Sequence, residues 1–435
     1  MLQERIQARL LLIVKILYIS QYFPPEIGAP AARASELARH WVRAGQDVTV
    51  LTGFPNHPNG VVPPEYCCAL RKLVVRENFE GIKVFRSWLL PFPNRKPYER
   101  MLNYSSFCAS SAITGMVLSR PEVVIATSPQ LLVALSGWWI ARCKRVPFVF
   151  EVRDLWPESL AAVGLGTHKS MLYRALARIA GFLYRWSDHI VVVTAAFKEH
   201  LIKNWNVPSE KISIIQNGVE TDVFSPSNAD QSLRSQLGAE KKFIVSYIGT
   251  IGIAHGLDTL IDAASKLQTS APNVLLLLAG EGADRERICS IAKSRGLTNL
   301  HFAGPQPRER IPAYIAASDA CMVLLKKSEI FETVIPTKML EFMSCGRPVV
   351  VGLEGQSRKI IENAAAGIWI TPESSEDLTK AIMQLEANRA LGKQLGANGR
   401  NYILQHFSRK QTATEYLALL QELTGAQPSS YAAAA

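Results

Sequence analysis

Lys15-Ile16-Leu17-Tyr18-Ile19-Ser20 is a short, nearly continuous apolar run, and Gln21-Tyr22-Phe23-Pro24-Pro25-Glu26-Ile27-Gly28-Ala29-Pro30 follows it before a helical pattern that reaches Trp41. A strand apolar on both faces, a Pro/Gly loop and a helix start are the opening unit of a parallel sheet covered by helices. The unit recurs at 243–248, where Gly249-Thr250-Ile251-Gly252-Ile253-Ala254-His255-Gly256 leads into a helix from Leu257. Two such openings predict two sheets.

Between and after them, β-branched runs alternate with helix-length segments. Strands are predicted at 47–52, 82–88, 123–127, 148–152, 189–194 and 212–216, then at 274–279, 300–303, 320–325, 348–351 and 368–371. The class is therefore α/β, doubly wound. The polar stretch from Asn217 to Lys242 separates the halves: an extension at 1–14, a first domain at 15–220, a second at 221–407, a helix at 408–425 able to return to the first domain, and a disordered tail at 426–435.

A chain of 435 residues, 48% apolar and 20% charged, is neither a disulfide mini-protein nor a disordered or fibrous one. Its seven cysteines form no Cys-x-x-Cys pair and read mostly as small buried groups in a reducing compartment. The apolar stretch from Val123 to Ala141 is divided by Pro129 and Gln130, which predicts a strand and a buried helix in place of a membrane span.

The net charge of +11 is concentrated: residues up to 210 carry 25 basic and 15 acidic side chains, the remainder 23 and 22. A basic first half suits an anionic partner such as a membrane surface. A helix over 171–186 would align Arg174, Arg178 and Arg185 opposite Leu172, Leu176, Ile179 and Leu183. That side either enters a lipid interface or packs on the sheet.

The loop around Gly28 and the Gly249, Gly252 and Gly256 loop each place helix-start amides at a sheet edge, where an anion can be held, although their spacing is not the dinucleotide fingerprint. Gly280-Glu281-Gly282 adds a glycine-rich loop to the second edge. In Thr333-Val334-Ile335-Pro336-Thr337-Lys338-Met339-Leu340-Glu341, followed by Gly346, a short helix starts at Pro336 and ends before the glycine. The amides of Thr337 and Lys338 face an anion, Lys338 adds a point charge for a diphosphate, and Glu341 can accept from a ribose diol. Arg153, Asp154 and Glu158 follow a strand at the first sheet edge, where Asp154 or Glu158 could orient or deprotonate a hydroxyl; the three also suit a surface ion-pair cluster.

These loops, with Asn217-Gly218-Val219-Glu220, resemble glycosyltransferase family 4 over nearly the whole chain. Phe23-Pro24-Pro25-Glu26, the stretch from Phe150 to Glu158 and Val334-Ile335-Pro336-Thr337-Lys338 are similar to its bacterial branch of fucosaminyltransferase-like enzymes. The resemblance implies a GT-B fold, two Rossmann-like domains facing each other across a cleft, with acceptor bound by the first and nucleotide sugar by the second. It implies a hexosyltransferase that retains anomeric configuration, needs no metal or other cofactor, and binds its donor through Gly28, Gly249, Thr250, Gly252, His255, Gly280, Glu281, Thr333, Thr337, Lys338 and Glu341. The absence of any Asp-x-Asp agrees with the metal-free expectation.

Three positions depart from the family pattern. Thr333 stands where the first of two glutamates is expected, with Glu332 one place off; Thr250 and His255 replace the Arg and Lys of the diphosphate loop; Arg153 stands near the position of a histidine. The expected reaction is transfer of a sugar, an N-acetylated amino sugar among the candidates, from UDP to a lipid-linked or polyprenyl-diphosphate-linked saccharide in surface-polysaccharide or lipopolysaccharide synthesis. The expected location is the cytoplasm, peripheral on the inner face of the plasma membrane, with no nucleic-acid partner. A UDP-sugar 2-epimerase of related architecture and a non-catalytic partner subunit are the alternatives.

Overall fold

The computed structural model describes residues 13–56, 60–67, 72–92, 97–159, 170–226 and 231–425. Residues 1–12 of the expected 1–14 extension and the tail from Ala426 lie outside them; Val14, the last residue of that extension, is fully buried in the first unit's core. The chain forms two compact units, 1–216 together with 409–435, and 217–408.

The first unit holds an eight-stranded sheet of β1 (Lys15–Ile19), β2 (Asp47–Gly53), β3 (Val74–Phe79), β4 (Ile82–Ser87), β5 (Val123–Thr127), β6 (Phe148–Val152), β7 (His189–Val192) and β8 (Ile212–Ile214), ordered β3-β4-β2-β1-β5-β6-β7-β8. All pairings are parallel except β3 with β4. β3 was not expected from the sequence. Its Val-Val-Arg-Glu-Asn-Phe run is half-exposed, as an antiparallel edge strand allows, and lacks the continuous apolar signature of the buried parallel strands.

The longer helices of this unit are α1 (Ala29–Arg43), α2 (Pro97–Val117), α3 (Leu131–Lys144), α4 (Met171–Trp186) and α5 (Ala195–Trp205). The apolar stretch from Val123 is thus strand β5 and helix α3, and among the described residues no helix is long and apolar enough to cross a membrane. On α4, Leu176 and Leu183 are buried while Arg174, Arg178 and Arg185 are exposed. The middle of its apolar side thus packs on the protein, while Met171, Leu172 and Trp186 at its ends are 81, 38 and 46% exposed.

The second unit is a six-stranded parallel sheet, β11-β10-β9-β12-β13-β14, of β9 (Phe243–Ile248), β10 (Val274–Ala279), β11 (Leu300–Gly304), β12 (Ala320–Leu324), β13 (Val349–Gly352) and β14 (Gly367–Trp369). Alternate residues of β9 enter opposite cores. Ile244 and Ile248 meet Leu340, Met343 and Ile403, and Phe243, Val245 and Tyr247 meet Leu260, Leu267 and Ile382. Both faces are covered, by α6 (Asp258–Ser270), α7 (Arg285–Ser294), α8 (Thr337–Ser344), α9 (Gln356–Ala364), α10 (Ser375–Ala387) and α11 (Arg389–His406).

The last helix, α12 (Arg409–Thr424), belongs to the first unit. There Arg409 Nε donates to Glu36 Oε2 at 2.8 Å, Trp41 Nε1 donates to the Ala413 carbonyl at 3.0 Å, and the Trp41 and Tyr416 rings meet edge to face at 5.4 Å. Of the described cysteines, Cys321 and Cys345 are buried, Cys108 and Cys289 half-buried, and Cys67 and Cys143 exposed, all as free thiols. Burial is thus less general than the sequence reading held.

Candidate active site

In the second unit, β9 ends at Ile248 and the chain turns at Gly249 with φ +135°. The neighbouring loop after β10 crosses it closely. A Cβ on Gly280 would stand 1.9 Å from the Gly249 carbonyl oxygen, and one on Gly282 would stand 2.3 Å from the Ile251 oxygen. The Ile251 amide donates to the Glu281 carbonyl at 2.9 Å, which locks the two loops together. The glycines at 280 and 282 therefore permit backbone crossing. Gly252 differs: its φ is −118°, and a Cβ there would meet only ordinary contacts at 3.6 and 3.7 Å from His255 and Thr250.

Lys338 stands at the start of α8, whose N-cap Pro336 offers no side-chain acceptor to the first amides. The lysine lies across the bare backbone of Gly249, with Nζ donating to the Tyr247 hydroxyl at 3.0 Å and 4.1 Å from that ring's centroid. Among the described residues it has no carboxylate partner. Burial pushes its pKa down to about 7, against a smaller raising effect of Glu341. His255 packs edge-on against Tyr247; burial first and Lys338 second push it down to about 3, so its imidazole is neutral at pH 7. Lys338 is the cation of this loop, and His255 is not.

Glu341, one turn further along α8, is 5% exposed and accepts from Arg308 Nη2 at 2.7 Å. Arg308 lies on the Phe224 ring, 4.7 Å from its centroid. Thr333 donates its hydroxyl to the Ile330 carbonyl at 2.6 Å, and Thr337 is the first residue of α8. The exposed Glu332 neighbours Thr333 in the four-residue helix Glu329–Glu332. Lys338, His255, Gly249 and Tyr247 thus form one cluster, while Glu281 is turned to Gly282 N and Arg285.

In the first unit, Gly28 is the N-cap of α1 and carries no side chain to cap it. Ser128 Oγ accepts the amides of Arg153 and Asp154 at 2.7 and 3.2 Å, which fixes the turn after β6. Arg153 Nη2 donates to the Ala29 carbonyl at 3.2 Å, beside that helix start. Its Nε and Nη1 are buried and, among the described residues, have no hydrogen-bond partner. Burial lowers its pKa to about 10, which leaves it charged at neutral pH. A half-buried guanidinium with two unused nitrogens among the described residues, beside a helix start, suits an anion.

Asp154 Oδ2 accepts from Trp156 Nε1 at 3.1 Å, and burial raises its pKa. Glu158 turns to α5, where Oε1 accepts from Trp205 Nε1 at 3.1 Å and lies 3.3 Å from His200 Nε2. The structure ties the backbone of Arg153 and Asp154 to Ser128 and turns Glu158 Oε1 to α5, while Glu158 Oε2 is buried with no hydrogen-bond partner among the described residues. Beneath them, Glu151 is fully buried, with Oε1 bound by Arg33 Nε and Nη2 at 3.0 and 2.8 Å and Oε2 by the Tyr18 hydroxyl at 2.8 Å. Burial alone would raise this carboxyl; Arg33 reverses that and holds it below the usual range.

Sequence reasoning missed Tyr247, Arg308 and the Arg33–Glu151 pair. The available signal for Arg308 was its place in the loop that follows β11, at the same sheet edge as α8's start.

Two family models divide the chain: a "Glycosyl transferase 4-like domain" matches residues 28–218 and "Glycosyl transferases group 1" matches 229–402. The chain belongs to the family-4 glycosyltransferases of GT-B fold. An Escherichia coli K12 protein named as a colanic acid biosynthesis glycosyl transferase, WcaI, is 26% identical over 384 residues, 85% of this glycosyltransferase and 92% of WcaI. Sucrose-phosphate synthase from Thermosynechococcus elongatus superposes with a TM-score of 0.75 at 20% identity, covering 95% of this chain and 99% of that one. Anabaena HepE, solved in complex with UDP and glucose, gives 0.70 at 19% identity, with 94% and 99% covered. WaaG, described as involved in lipopolysaccharide biosynthesis, gives 0.65 at 17%, with 92% and 99% covered. These structural likenesses carry the fold.

Proposed function

We propose that this glycosyltransferase moves a sugar from UDP, with retention of anomeric configuration and without a metal, to a lipid-linked or growing saccharide in cell-surface polysaccharide synthesis, at the anionic cytoplasmic leaflet. The observation that carries the donor site is Lys338, a half-buried lysine that has no carboxylate partner among the described residues, laid over Gly249 at an uncapped helix start. UDP in HepE and the biosynthetic role in WcaI's name support the donor and the pathway class.

Cleavage of the sugar–diphosphate bond develops negative charge on the departing phosphate. Preorganised donors there contribute most to lowering the barrier. In this reading Lys338 Nζ and the amides of Gly252, Thr337 and Lys338 hold the diphosphate, and Glu341 exchanges its Arg308 partner for ribose hydroxyls. Arg153 supplies charge to an anionic group of donor or acceptor beside Gly28, and Asp154, oriented by Trp156, receives or directs the acceptor hydroxyl. The departing phosphate is the other proton acceptor open to a front-side transfer. Thr333, whose hydroxyl proton goes to the Ile330 carbonyl, offers the sugar an accepting oxygen in place of a carboxylate, which suits a donor group such as a sugar hydroxyl or an N-acetyl N–H.

Thermal-shift screening of UDP-, GDP- and dTDP-sugars tests the donor, since a ligand that binds only the folded state raises its melting point. A rise with UDP-sugars, undiminished by EDTA, is expected. A rise with GDP-sugars alone, or one that EDTA abolishes, refutes it.

A further inference from the structure

One face of the first unit carries an apolar ledge that nothing among the described residues covers. Along α2, Leu102, Ile113, Met116 and Val117 lie 45, 71, 41 and 79% exposed, and on α3 Trp139 is 50% exposed. The inner side of α2 is tightly packed: a Cβ on Gly115 would stand 2.2 Å from the Ile140 side chain of α3. The two helix ends are tied together. Lys144 Nζ donates to the Met116 and Leu118 carbonyls at 3.2 and 2.7 Å, and Arg120 donates to the Lys144 and Arg145 carbonyls at 3.0 and 3.1 Å.

The segment leaving α2, Leu118 to Pro121, lines a cavity of about 210 Å³ at the amino ends of β1, β2 and β4, the edge opposite Gly28 and Arg153. Among the described residues, Lys15, Arg76, Lys83 and Arg120 line it against one carboxylate, Asp47, which Lys83 already pairs at 2.7 Å. Glu122, beside it, accepts the Lys15 amide at 2.8 Å.

Apolar side chains beside an excess of fixed positive charge complement a lipid surface whose acyl chains adjoin anionic phosphates. A two-fold contact with a second copy would place the same basic cavities near each other, and charge is depleted from the cores of protein interfaces. We infer that the α2–α3 ledge and the adjoining basic cavity are the surface by which this enzyme docks on anionic phospholipid, the ledge entering the head-group boundary and the cavity taking a lipid phosphate. The inference rests on the leaflet reading above and names its surface. On α4, by contrast, Leu176 and Leu183 are buried and the exposed apolar residues Met171, Leu172 and Trp186 are confined to the helix ends.

Co-sedimentation of the full chain with phosphatidylcholine vesicles, with and without phosphatidylglycerol, tests it. Binding to the anionic vesicles is expected, undisplaced by free glycerophosphate. Ile113→Asp with Val117→Asp should weaken it about tenfold or more, as loss of two inserted apolar side chains implies. Lys15→Ala with Arg76→Ala should weaken only the anionic-lipid component, about fivefold per charge. An unchanged melting temperature and UDP-sugar shift show that the variants are folded. Equal retention of the ledge variant overturns this surface and leaves the leaflet reading standing. Failure of the unsubstituted chain to bind any vesicle overturns both. Sedimentation velocity showing a dimer that the ledge substitutions dissolve, without vesicle binding, assigns the face to a second copy and overturns the inference.

Discussion

Lys338 makes donor affinity depend on pH in a direction that the site fixes. Buried against Tyr247, its ammonium has a pKa of about 7 in place of the ordinary 10.5. A diphosphate beside it restores the missing counter-charge and raises that pKa in the complex. Above about pH 7 the free enzyme has lost the proton that the complex holds, so binding takes one up, and each further pH unit costs ~1.4 kcal/mol, a tenfold loss of affinity. Below that point affinity should level off. His255, at about 3, is neutral throughout, and the diphosphate diester of a UDP-sugar has no group titrating in this window.

Folding responds with the opposite sign. The unfolded chain binds more protons at Lys338 between about 7 and 10.5, so this group's contribution to stability rises as pH rises through that window. Calorimetry with a non-hydrolysed UDP-sugar analogue, in buffers of different ionisation enthalpy, reads affinity and proton uptake together. Lys338→Arg keeps its charge and should bind with little pH dependence. Lys338→Met should bind weakly at every pH. Wild-type affinity that is flat from about pH 6 to about pH 9, without proton uptake, would refute the argument.

Glu341→Ala should weaken UDP-sugar binding by ~1–3 kcal/mol, the range for charge-assisted hydrogen bonds to a diol; unchanged affinity by calorimetry removes the ribose role. Gly280→Ala should lower the melting temperature sharply, because its Cβ would overlap the Gly249 carbonyl at 1.9 Å, whereas Gly252→Ala should leave melting nearly unchanged and weaken the donor. Equal melting of the two variants would contradict the division between packing and ligand glycines. Glu151→Ala strands the fully buried Arg33 and should cost ~3–5 kcal/mol in denaturant unfolding.

The strands of the two sheets, β3 apart, were legible because burial on both faces writes continuous apolar runs into the sequence, whereas the helix Pro97–Val117 was not placed. β3 was not, because Arg76, Glu77 and Asn78 belong to an edge that meets water. Within the candidate site, Lys338 and Glu341 were legible from a proline, a glycine and one helical turn. Their partners were not. Tyr247 lies 91 residues from Lys338, Arg308 lies 33 from Glu341, and Arg33 lies 118 from Glu151, separations that only the folded sheet closes. The α4 helix shows the converse: its arginine stripe was legible, but which apolar residues opposite it are buried, Leu176 and Leu183 and not Leu172, depended on the tertiary packing.

The most direct test is a crystal structure of the enzyme with UDP bound. The account predicts the diphosphate on Lys338 Nζ and the amides of Gly252 and Thr337, and the ribose on Glu341 with Arg308 displaced from Oε1. A nucleotide seated away from α8, with the Arg308–Glu341 pair intact, would contradict it.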